Sequence, residues 1–221
     1  IRAYAPKSVD EVRCAPALIA FSPRIEKQQL ELKQFLRIPS ISTNPEYKAD
    51  VRRAAEFVAN ALRDAKLENV EIIETKGHPL VYADWLHAPG KPTVLCYGHY
   101  DVQPPDPLEL WESDPFEPEL RDGYLYGRGT VDDKGQLYML LAAARELARA
   151  GELPVNVRFA CDGEEETGGH SIVDFLAADA RGADAAVVFD SSMIRPGVPA
   201  FHVATRGLVY FHLTIDRKSV V

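Results

Sequence analysis

Cysteine is scarce in this chain of 221 residues: Cys14, Cys96 and Cys161 lie far apart and form no Cys-x-x-Cys pair. That argues against a disulfide framework and a thiolate zinc site, and favours a reducing, cytoplasmic compartment. Long apolar runs are missing as well. No stretch approaches the roughly 18 to 20 residues of a membrane-spanning helix, and no secretory pattern opens the chain, so no membrane is expected among its partners. Basic charge is in deficit, with 25 Lys and Arg against 33 Asp and Glu and a formal net charge of −8. Phosphate binding needs a basic face, so nucleic acid is set aside as a partner too. Internal repeats and low-complexity segments are absent. The chain begins at Ile1 rather than methionine, and a missing or processed start is expected.

What is present suffices for a core, since 46% of the residues are hydrophobic. The length fits one domain, or one domain and part of a second. Residues 1–22 show no clean periodicity and read as an extended leader. Ser22-Pro23 signals a helix start, and Leu30, Phe35 and Leu36 follow before Pro39 ends the helix. A second helix is expected over Lys48–Leu67, with Val51, Ala54, Ala55, Val58, Leu62 and Ala65 on one face. Strand-like runs come next at Val70–Glu74, Leu80–Trp85 and Thr93–Tyr97. A long loop rich in proline and acidic residues then spans about Asp101–Glu119, a length that is usually functional or disordered.

The spacing of leucines and alanines predicts a helix over Lys134–Ala150, stopped by Gly151. Strand Val155–Ala160, helix Ser171–Ala178 and strand Ala185–Phe189 complete the series. Alternating strands and helices imply an α/β domain, with a mostly parallel mixed sheet and helices on both faces. Phe201–Thr205 and Leu208–Ile215 read as strands without a helix between them. The rhythm thus changes after Arg206-Gly207, where a second module is expected. The division is a leader at 1–22, a main domain at 23–206 and the start of another at 207–221.

Four clusters carry chemistry. Gly98-His99-Tyr100-Asp101 follows a strand; Gly127-Arg128-Gly129-Thr130-Val131-Asp132-Asp133-Lys134-Gly135 precedes a helix. Asp162-Gly163-Glu164-Glu165-Glu166-Thr167-Gly168-Gly169 follows the next strand, and Asp190 ends the last. Ligands of open parallel sheets bind beyond the carboxyl ends of strands, so three clusters would meet there. One imidazole and several carboxylates form the donor set of a catalytic metal site. Each cluster also has a plainer reading: Asp132-Asp133 as a helix cap, the glutamate triplet as a solvated turn, Asp190 as a turn residue. Their joint occurrence in order at strand ends favours the metal. Asp101 is placed to hold the second ring nitrogen of His99.

These stretches, with Glu165-Glu166-Thr167-Gly168 and Asp190, resemble the co-catalytic zinc metallopeptidases. That family includes cytosolic and carnosine-type dipeptidases, glutamate carboxypeptidase, succinyl-diaminopimelate desuccinylase and acetylornithine deacetylase. The resemblance covers roughly residues 24–216, and the segment from Val102 to Leu120, with Trp111 and Pro115-Phe116, looks most like the dipeptidase branch. It implies hydrolysis of the amide bond of a small peptide by a water shared between two Zn2+ ions, with Mn2+ or Co2+ also acceptable to these ligands. His99 and Asp190 would bind one ion, Glu166 the other, and Asp132 would bridge both. Asp101 would orient His99, and Glu165 would be general base and acid. Glu164 can take either glutamate role by position alone; the family pattern selects Glu165 and Glu166. It also implies a cis peptide at Asp132–Asp133.

One further histidine ligand of the family finds no match. His78, His87, His170, His202 and His212 read as structural or surface residues. Arg206-Gly207-Leu208-Val209-Tyr210 resembles the entry to a lid module through which family members form homodimers. The chain therefore reads as truncated, with little activity expected of it alone. The rival functions are an N-acyl amino acid deacylase of the same family and a non-catalytic metal-binding module.

Overall fold

The segments 80–85 and 156–162 are buried at almost every position, as strands covered on both faces must be. In chain order the elements are β1 (Arg2–Tyr4), α1 (Pro23–Leu36), α2 (Lys48–Asp64), β2 (Glu68–Ile73), β3 (Leu80–Trp85) and β4 (Thr93–His99). Then come β5 (Glu119–Arg121), β6 (Tyr124–Tyr126), α3 (Lys134–Ala150), β7 (Asn156–Asp162), α4 (Ser171–Ala178) and β8 (Ala185–Val188). The computed structural model describes residues 2–4 and 23–191, with 193, 198, 200, 207, 209 and 211–214. The expected strand at 201–205 and most of the leader lie outside the described residues; of the strand expected over 208–215, residues 209 and 211–214 are described and belong to no strand. No helix among the described residues is long and apolar enough to cross a membrane.

Five strands form the main sheet in the order β2-β3-β7-β4-β8. β4 runs parallel to β7 and β8, whereas β3 is antiparallel to both β7 and β2. The sheet is mixed because no helix separates β2 from β3, and a short link forces antiparallel pairing. Side chains alternate with the period of two that strands impose. Val81, Ala83, Cys96, Val157, Phe159 and Cys161 face one layer, packed with Phe35, with Val51, Val58 and Leu62 of α2, and with Leu137 and Leu141 of α3. Leu80, Tyr82, Leu95 and Ala160 face the other, with Ile172 of α4 and, half-buried, Phe175. Helices therefore cover both faces.

The expected helix over Lys48–Leu67 stops at Asp64. Lys66 turns left-handed at φ 66°, and the N–H of Leu67 donates back to Leu62 O at 3.1 Å, which closes the helix in a Schellman-type turn. That turn puts Leu67 into the core, 5% exposed. A second difference is the hairpin β5–β6, which the loop reading passed over. Asp122 and Gly123 have φ 50° and 79°, the two positive values that a tight hairpin turn requires. β1 pairs antiparallel with β6, so the first residues of the leader lie beside this hairpin.

After β4 the chain crosses one face, through α3, to reach β7. After β7 it returns across the other face, through α4, to reach β8 on the far side of β4. Helices leaving in opposite directions open a crevice at the carboxyl end of β4, the switch point where such sheets bind ligands.

Candidate metal centre

His99 closes β4, and its side chain is fully buried. Its neighbours in the crevice come from the two flanking parallel strands and from the turn before α3. Nε2 lies 3.2 Å from Asp132 Oδ1, 3.9 Å from Glu165 Oε2 and 3.9 Å from Asp190 Oδ2. One ligand atom each from His99, Asp132 and Glu166 falls within 4.8 Å of the other two. So the sequence-expected residues His99, Asp132, Glu165, Glu166 and Asp190 meet in one place. The Asp132–Asp133 peptide is cis.

Asp101 organises this cluster. Its carboxylate is buried; one oxygen lies 3.2 Å from His99 Nδ1 and accepts the N–H of Glu165 at 3.3 Å. The other accepts the N–H of Glu166 at 3.0 Å and the hydroxyl of Ser42 at 2.6 Å. With Nδ1 engaged, Nε2 is the nitrogen presented to the crevice. Asp133 stands at the N-terminus of α3 but makes no side-chain cap; it accepts the N–H of His99 at 3.0 Å instead. The capping explanation of the Asp pair therefore does not hold for it.

The charge balance is uneven. Burial alone would push the His99 pKa down, yet the acceptor oxygens of Asp101 and Asp132 drive it up to about 11. Burial raises Asp133 to about 8 despite its bond to His99, and raises Asp162 to about 6. Glu165, Glu166 and Asp190 are likewise pushed up, first by burial and then by neighbouring carboxylates. Asp132, by contrast, is lowered, chiefly by its hydrogen bond with His99. Carboxylates that hinder one another's ionisation around a single imidazole favour a cation among them. Oxygen and nitrogen donors suit Zn2+, Mn2+ or Co2+, so the residues present fit such an ion.

Close backbone approach supports the geometry. A Cβ at Gly98 would lie 2.8 Å from Asp133 Oδ2, and one at Gly135 would overlap the carbonyl of Thr130. Both positions border the Asp132–Asp133 turn, which only glycine lets pack so tightly.

Two residues escaped the sequence reading, and two that it named take roles it did not give them. Ser42 holds Asp101, and Gln103 donates to Glu166 Oε2 at 2.7 Å. Glu164, buried, accepts the N–H groups of His78 and Ser171 at 2.8 and 2.9 Å, and so ties down the loop instead of entering the crevice. Lys134, also buried, donates to the carbonyls of Phe35 and Ile38 at 3.2 and 2.6 Å, either side of the end of α1. One signal was available: a lysine at a helix start opposes the helix dipole, which hints at a task elsewhere.

The sequence model described as peptidase family M20/M25/M40 matches residues 95–209. The chain is 30% identical over 203 residues to the Cys-Gly metallodipeptidase dug1 of Schizosaccharomyces pombe, covering 85% of this chain and 43% of that protein. It is 30% identical over 205 residues to the Beta-Ala-His dipeptidase of Rattus norvegicus, covering 85% and 42%. Among solved structures, human carnosine dipeptidase 1 matches with a TM-score of 0.70 and 29% identity, over 76% of this chain and 39% of that one. The chain thus spans less than half the length of these relatives.

Proposed function

The chain belongs to peptidase family M20/M25/M40, and from that premise we propose that the protein hydrolyses the amide bond of dipeptides at a centre of two divalent ions, zinc foremost. The observation that carries this reading is the convergence of His99, Asp132 and Glu166 within 4.8 Å at the strand ends, with Glu165 beside them. His99 and Asp190 would hold one ion, Glu166 with one further histidine the other, and Asp132 both. When bound, such a pair supplies a water of lowered pKa and polarises the substrate carbonyl.

The protein's own groups do the rest. Glu165 Oε2, 3.9 Å from His99 Nε2, takes the proton of the attacking water and passes it to the departing amine. Asp101 keeps the His99 ring in one tautomer and orientation. On this reading residues 23–206 supply the first part of a catalytic domain. Residues 207–221 begin a lid module through which two copies pair.

The test is dipeptide hydrolysis by the full-length protein with added zinc, beside a Glu165→Gln variant. Turnover should fall about 10²- to 10⁴-fold with metal content unchanged; equal turnover in both would sink the assignment.

A further inference from the structure

The loop that bears Glu165 and Glu166 is enclosed by a circuit of hydrogen bonds from segments far away in sequence. Ser42 Oγ donates to Asp101 Oδ2 at 2.6 Å. Asp101 in turn accepts the N–H groups of Glu165 and Glu166. The preceding residue, Glu164, accepts the N–H of His78 at 2.8 Å through one oxygen and that of Ser171 at 2.9 Å through the other. The circuit closes where His78 Nε2 lies 2.9 Å from the carbonyl of Ser42. Ser42, Asp101 and Glu164 are 6%, 0% and 4% exposed, so water does not substitute for these partners.

We propose that Ser42, joined to Glu164 through His78, is a positioning residue that fixes the Glu165–Glu166 peptide by holding Asp101. The inference rests on the roles given to those two glutamates above. A carboxylate offers about four acceptor sites. Asp101 accepts the Ser42 hydroxyl and two peptide N–H groups, and its fourth side faces His99 Nδ1 at 3.2 Å, a nitrogen that also lies 3.1 Å from the Asp101 carbonyl. Each donor therefore limits rotation of the carboxylate toward the others. The hydroxyl is the shortest of the four contacts and the only one from outside the crevice. Space for the circuit is built in, because a Cβ at Gly77 or Gly169 would overlap the Glu164 carboxylate.

The experiment compares Ser42→Ala and Ser42→Thr with the wild type in the full-length protein. Amide hydrogen exchange at Glu165 and Glu166 is read without metal, and dipeptide turnover with zinc. In Ser42→Ala both amides should exchange roughly tenfold faster, and kcat should fall about 10- to 100-fold with KM within a factor of two. Threonine keeps the hydroxyl and should restore both. Unchanged exchange and kcat in Ser42→Ala, or a loss that threonine does not restore, would overturn the proposal. If Ser42→Ala does not fold, Glu164→Gln decides. It turns one of two acceptors into a donor, so faster exchange at the Glu165 and Glu166 amides supports the circuit and wild-type exchange refutes it. A wild-type protein that cleaves no dipeptide would defeat the functional reading alone, because the exchange measurement needs no turnover.

Discussion

β4 and β8 lie side by side, run parallel and each lead into a candidate ligand, yet the two ends are built differently. β4 is interior. His99 and Asp101 at its end are fully buried, and donors and acceptors from three other segments grip them. β8 is an edge strand exposed at all four positions. The candidate ligand at its end, Asp190, is 32% exposed and 3.9 Å from His99 Nε2, and no hydrogen bond from a described residue reaches its carboxylate. Among the described residues, then, one side of the centre is held by buried hydrogen bonds, while Asp190 makes only charge contacts. A preorganised imidazole with adaptable carboxylates around it suits a site that must bind ions and let a substrate exchange position with water.

Three changes break or sharpen this contrast. The largest concerns the interior: Phe159 in β7 is 1% exposed, and Phe159→Ala should cost about 3 to 5 kcal/mol in urea unfolding. A cost below about 1 kcal/mol would mean that the central strands are not the rigid side.

The second concerns the tie between the two regions. Arg158 of β7 donates to Asp179 and to the carbonyl of Gly182 in the turn that leads to β8. Burial alone would raise the Asp179 pKa, but hydrogen bonds from Arg158 and Arg181 hold it at about 2. Its folded pKa lies below the unfolded value of about 3.9. The contribution is therefore present above pH 4 and lost as the pH falls towards 2. Asp179→Asn should be less stable than wild type by on the order of 1 to 2 kcal/mol at pH 7, with the gap closing near pH 2. A gap independent of pH would remove the ion pair as its cause.

The smallest effect belongs to the edge. Val188 is 63% exposed, and Val188→Ala should change stability by no more than about 0.5 kcal/mol. A cost matching that of Phe159→Ala would erase the contrast.

Legibility in the sequence follows the same divide between local and distant causes. β3, α3 and α4 have the expected bounds because periodicity and stops such as Gly151, left-handed at φ 69°, are local. The candidate ligands His99, Glu166 and Asp190 were legible because topology places them at or just past strand ends, and Asp132 because it stands just before α3. Lys66 and the Asp122-Gly123 turn were missed, although both are local, since positive φ at Lys and Asp leaves a weak compositional trace. Ser42 and Asp101 are 59 residues apart, and His78 and Glu164 are 86 apart. Such contacts join loops without periodicity, so only the folded chain pairs them. The glutamate triplet shows the limit most clearly. Position alone left Glu164 open to either role, and its burial against His78 and Ser171 assigns it a third.

The central claim is that these strand ends hold two ions. Anomalous X-ray scattering from crystals of the full-length protein grown with zinc tests it most directly. Two peaks are expected about 3.5 to 4 Å apart, bridged by Asp132, with His99 and Asp190 on one and Glu166 on the other. A crevice without a peak, or zinc bound only elsewhere, would contradict it.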